Sequence, residues 1–99
     1  MKLITLDRRH SGYGVWKYYI ERPYIKPLEQ SKIIFYLWRN WCWEQWGCSK
    51  ELEEYTIVDL FDGIHCSNPK WCWTNDRSHG ARIYFKDDEA AAAFTLRWL

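Results

Sequence analysis

"LEQSKIIFYLWRNWCWEQWG", residues 28–47, decides how the rest of the chain must be arranged. At about 100° per residue, Ile34, Leu37, Trp38 and Trp41 fall within one arc about 100° wide, and Cys42 lies at its edge. This periodicity predicts a helix over 28–46 that packs on a sheet through that arc, with Gly47 as its C-terminal stop. The opposite arc carries Tyr36, Trp43 and Trp46 beside Lys32 and Arg39. A helix that is apolar nearly all round is either buried on two sides or presents a binding surface.

The flanking segments supply the sheet. "KLITL" (2–6) and "YGVWKYYI" (13–20) are rich in β-branched and aromatic residues and are separated by the polar "DRRHSG", so they read as a hairpin. "ERPYIKP" (21–27) is a connector, because Pro23 and Pro27 interrupt strand and helix alike. Beyond the helix, "SKELEEY" (49–55) reads as a helical turn and "YTIVDLF" (55–61) as a strand. Asp62-Gly63 marks a turn and "IHCSNP" (64–69) a loop.

A second hairpin follows. In "KWCWT" (70–74) Trp71 and Trp73 share one face and Cys72 takes the other; in "ARIYFK" (81–86) Ile83 and Phe85 oppose Arg82, Tyr84 and Lys86. "DDEAAAAFTLRWL" (87–99) closes the chain as a helix capped by Asp87 or Asp88, with Ala90, Ala91, Phe94 and Trp98 inward. The order β-β-α-β-β-β-α predicts one α+β domain over residues 1–99. Its architecture is a two-layer sandwich, ferredoxin-like in spirit, with an antiparallel sheet of four or five strands and both helices on one face.

Composition agrees with a small aromatic core. Eight Trp, seven Tyr and four Phe in 99 residues bring large area to a chain of this length. The net charge is only +1, although residues 1–40 carry eight Lys/Arg against three acids and residues 41–99 six against ten. No apolar run approaches the roughly 20 residues of a membrane span, and "MKLITLDRRH" lacks the apolar core of a signal peptide. No membrane association is expected, and the thiols are expected to be reduced in a cytosolic setting.

The four cysteines, Cys42, Cys48, Cys66 and Cys72, invite a metal reading. Zinc knuckles pair ligands two to four residues apart, whereas here the spacing within each pair is C-x5-C. Weighed against zinc and against disulfides, buried small hydrophobes are the expected role, with no metal and no cofactor. His65-Cys66 with Asp59 and Asp62 lacks the facing arrangement a nucleophile and its base require, and Glu51, Glu53, Glu54, Asp76 and His79 read as turn or surface residues. No phosphate-cradling or zinc-hydrolase motif is present, so no catalytic residue is assigned and an enzyme is not expected.

Two binding readings remain. Tyr36, Arg39, Trp43 and Trp46 are the residue types that dominate protein interfaces, and they define the expected partner-binding face. The alternative is a single-stranded nucleic-acid-binding surface of Trp16, Lys17, Tyr18 and Tyr84, with Arg39 and Trp43, on which bases would stack. Near-zero net charge and an acidic C-terminal half oppose it, because phosphate neutralisation supplies most such affinity.

"GARIYFKDDEAAAAFTLRWL" (80–99) resembles the C-termini of short tailed-bacteriophage proteins, in which a strand and an acidic cap lead into a helix ending near F-x-L-R-W. "NWCWEQWG" (40–47) is similar to their Trp-Cys helix end and "KWCWTN" (70–75) to their tryptophan-bearing strand. The resemblance covers roughly residues 38–47 and 70–99 and implies a phage origin, the cytoplasm of an infected bacterium and a compact α+β domain, with no activity attached. Together these readings predict a non-enzymatic phage accessory protein that binds and modulates or inhibits a host or phage protein, with a homodimer as a further expected assembly.

Overall fold

A computed structural model describes residues 3–10, 13–51, 68–76 and 80–99. Its elements are β1 (Ile4–Thr5), β2 (Tyr18–Glu21), α1 (Leu28–Trp46), β3 (Trp71–Asp76), β4 (Gly80–Phe85) and α2 (Asp88–Trp98). The expected strand over 55–61 lies outside the described residues. Of the expected helical turn from residue 49, the described part is not helical: Glu51 instead forms an isolated parallel bridge to Trp73.

The four strands form one antiparallel sheet in the order β1-β2-β4-β3. β1–β2 and β3–β4 are the two expected hairpins, and β4 inserts between β2 and β3, pairing Ile20 with Ile83 and Trp73 with Ile83 across its two edges. β2, α1 and β3 therefore form a split β-α-β unit, as in ferredoxin-like sheets. The remaining edge strand is the N-terminal β1, where a ferredoxin-like chain would use a strand after its second helix.

α1 begins after Pro27, which cannot continue a helix N-terminally through its ring, and ends at Gly47, whose φ of 92° lies where only glycine is unstrained. The Gly47 N–H donates to the Trp43 carbonyl at 2.8 Å, closing the last turn. α2 is capped by the Asp87 carboxylate, which accepts from the Ala90 N–H at 2.8 Å. Lys70, just before β3, reaches the same carboxylate at 2.9 Å, while Lys17 and the Tyr18 hydroxyl reach Asp88 at 2.9 and 2.6 Å. The first turn of α2 is thus tied to the starts of both β2 and β3.

Strand alternation sorts the interior into two cores. Ile20, Trp71, Ile83 and Phe85 join Phe35, Trp38 and Cys42 of α1 and Ala90, Ala91 and Phe94 of α2 in one cluster. The intervening residues Tyr19, Cys72 and Tyr84 project to the other side and meet Leu6 and Trp16. This second face is therefore covered by the β1–β2 connection, which folds back over it. Each large side chain removed from water contributes about 1.5–3 kcal/mol, which favours covering that face from within the chain.

Candidate protein-contact face of the first helix

The inward side of α1 is formed by Ser31, Phe35, Trp38 and Cys42, spaced i, i+4, i+7, i+11. Its centre is rotated by about 80° from the arc that periodicity alone selects. Trp38 and Cys42 are inward as expected, Ile34 and Trp41 pack at one margin, and Leu37 is corrected from the interior to the surface. Small residues explain the rotation. Ser31 and Cys42 let the helix approach closely, and the buried Ser31 hydroxyl donates to the Pro23 carbonyl of the connector.

Of the four residues expected at a partner, three remain near the surface. Tyr36 is 41 % exposed and Trp43 50 %, and the rotation adds Ile33 at 56 % and Leu37 at 49 %. The Arg39 guanidinium is held between two rings, 4.8 Å from the Tyr36 centroid and 4.7 Å from that of Trp73 on β3. No carboxylate among the described residues lies within ion-pair distance of it. A guanidinium immobilised by stacking is already ordered for an incoming acceptor.

Trp46 is the exception. It stands edge-on to Trp41 at 5.3 Å and to Phe85 at 6.2 Å, half-buried against the main core, so it is corrected from the outer face to the aromatic wall that also holds Phe94 and Trp98. A helical wheel misplaces it because the last turn of α1 lies over the β3–β4 hairpin, where even a flank residue finds neighbours.

Trp-Cys-Trp occurs twice, at 41–43 and 71–73, and the structure joins the two stretches. Trp71 Nε1 donates to the Gly47 carbonyl at 2.9 Å and Trp73 Nε1 to the Ser49 carbonyl at 3.2 Å. Ser49 Oγ returns a bond to the Trp71 carbonyl at 2.7 Å, and Asn68 Nδ2 donates to the Trp46 carbonyl at 2.7 Å. The exit of the first Trp-rich segment is thereby sewn along the outer edge of the second. Indole rings can fill the core and still satisfy carbonyls at its margin, which phenyl rings cannot do.

The three described cysteines are not gathered. Cys42 belongs to one core and Cys72 to the other, so the sheet separates them, and Cys48 is exposed. Burial pushes both interior thiols well up from the ordinary cysteine value, which suppresses the thiolate. Among the described residues no three metal-capable side chains cluster. Cys66, His65, Asp59, Asp62, Glu53, Glu54, His79 and the side chain of Asp76 lie outside the described residues; Glu51 accepts from the Asn75 N–H at 3.1 Å.

The nucleic-acid set is taken apart by the fold. Trp16 and Tyr84 are buried in the second core, and are corrected from stacking surface to interior. Lys17 and Tyr18 remain accessible in part, but Asp88 engages both. Strand alternation alone puts Tyr84 opposite Phe85, but it cannot tell that a hairpin connection covers that side.

Sequence reasoning missed Ile33, Asn40 and Glu44 as parts of the outer face. Their signal is the spacing Ile33, Tyr36, Asn40, Trp43, visible in the sequence once the inward arc is known. Among the described residues no helix is long and apolar enough to cross a membrane. No family model, no curated protein and no solved structure matches this chain.

Proposed function

We propose that this chain is a non-enzymatic accessory protein that binds another protein through the outer face of α1 and modulates or inhibits it. The observation that carries the reading is Arg39, stacked between two rings with no carboxylate of the described residues at ion-pair distance, beside half-exposed Tyr36 and Trp43. Trp, Tyr and Arg are the side chains whose burial most often dominates binding energy. The likeness of its ending to short tailed-bacteriophage proteins supports a phage origin and the cytoplasm of an infected bacterium as its setting.

Affinity capture from bacterial lysate tests the reading with three baits: the parent, Trp43→Ala and Arg39→Ala. A partner retained by the parent and reduced at least about tenfold by either substitution is expected for hot-spot residues. Equal retention by all three removes this face from the function.

The nucleic-acid alternative is weakened by the fold, since Trp16 and Tyr84 of its four rings are buried, Tyr18 is tied to Asp88, and Trp43 alone offers no run of stacked bases. No retention of single-stranded oligonucleotides is expected even at low salt, where phosphate contacts are strongest.

A further inference from the structure

The outward residues of α1 repeat at three- and four-residue intervals: Ile33, Tyr36, Asn40, Trp43. This is the spacing of a two-helix seam, with Ile33 and Asn40 in the first seam position of each heptad and Tyr36 and Trp43 in the second. Lys32 and Arg39 flank the seam on one side, and Leu37 and Glu44 on the other. In a parallel, in-register pair, a residue just before the first seam position meets the partner's residue five places later. Arg39 then meets Glu44, and the two-fold axis repeats the contact.

Three observations make the face complementary to itself. Among the described residues neither Arg39 nor Glu44 has an ion-pair partner, so no described group competes with their pairing across the seam. Arg39 is held by Tyr36 and Trp73, so little rotamer freedom is lost on pairing. Asn40 would lie against Asn40 across the axis, where paired amides satisfy one another and specify register. An antiparallel pair instead sets Lys32 and Arg39 against the same basic residues of the second copy, which is repulsive.

We propose that α1 pairs with α1 of a second copy, parallel and in register, to form a reversible homodimer. This rests on the reading of the outer face of α1 as a protein-contact surface and names one occupant of it. The four half-exposed side chains offer roughly 400 Å² per copy, within the range of the largest apolar patch on a monomer. Even with the flanks included, the contact falls near the lower bound of about 1,200 Å² for stable complexes. The dimer is therefore weak and concentration-dependent, and it leaves the face open to competition by a tighter heterologous partner.

Sedimentation of the whole chain from about 1 μM to about 1 mM at low salt reads the association directly. Glu44→Arg and Arg39→Glu should each weaken self-association about tenfold, because two attractive pairs become two repulsive ones. The double exchange R39E/E44R should restore it, and an equimolar mixture of the two single variants should form a heterodimer. A parent that stays monomeric to about 1 mM overturns the proposal, as does a dimer indifferent to Glu44→Arg or one that Arg39→Glu strengthens. Circular dichroism on every variant separates lost pairing from lost folding. A monomeric parent that still captures a Trp43-dependent partner defeats the homodimer while the protein-contact reading stands; a monomer that captures nothing defeats both.

Discussion

Trp38, Trp43 and Trp71 are the same side chain in three situations, and their substitutions should separate accordingly. Trp38 is fully buried beside Phe94, edge-on at 5.4 Å, so Trp38→Ala should cost about 3–5 kcal/mol and leave a loosened core in near-ultraviolet circular dichroism. Trp43→Ala should stay within about 0.5 kcal/mol of the parent in urea titration, because half of that ring already faces water. Trp71→Phe keeps a ring in the core but leaves the Gly47 carbonyl only the longer bond from Asn68 Nδ2 at 3.4 Å, with an expected loss of about 1 kcal/mol. The thiols divide in the same manner. In a Cys66→Ser background, Cys48 should react rapidly with an aromatic disulfide reagent, while Cys42 and Cys72 should react only after denaturation.

α2 shows how an element is held at its end. The Asp87 carboxyl lies below its ordinary value first because the Ala90 N–H donates to it and then because of Lys70; Asp88 is lowered first by the Tyr18 hydroxyl and then by Lys17. A carboxyl lowered in the folded state contributes stability in full above its unfolded value of 3.8 and loses it as pH falls toward the folded value. Asp87→Ala should lose the cap, about 1 kcal/mol, and lower the melting temperature by about 4–8 °C. Asp87→Asn can still cap, so it should change neutral-pH stability less and flatten the acid limb of the stability curve below about pH 4. The cap is legible in the residues themselves, since an acid-rich start ahead of an alanine run has few other uses. The inward arc of α1 is not, because its sequence offers apolar residues on almost every side and periodicity discriminates only where polar residues mark the alternative. Leu37 and Trp46 change sides for that reason, each by a turn of the helix that only the sheet beneath could choose.

Across the whole molecule the second core sets the limit on what the surface can do. The connection between β1 and β2 carries Leu6 and Trp16 onto Tyr19 and Tyr84, and the Asp7 carboxyl within it, bonded by the Arg9 side chain and backbone N–H, is lowered to about 2. Asp7→Asn should therefore leave stability above pH 4 little changed in slope and remove part of its decline between about pH 4 and 2, as followed by thermal melts. Two hairpins, the bounds of α1 and α2 and the faces of β3 and β4 were all determined by residues near one another in sequence, where alternation, capping and glycine conformation act locally. Strand order, the rotation of α1, the burial of Trp16 and Tyr84, the separation of Cys42 from Cys72 by the sheet and the stacking of Arg39 on Trp73 were decided only in the tertiary structure. Each depends on which distant surface lies opposite, and the burial of apolar area that makes that choice is non-directional and has no signature in local sequence.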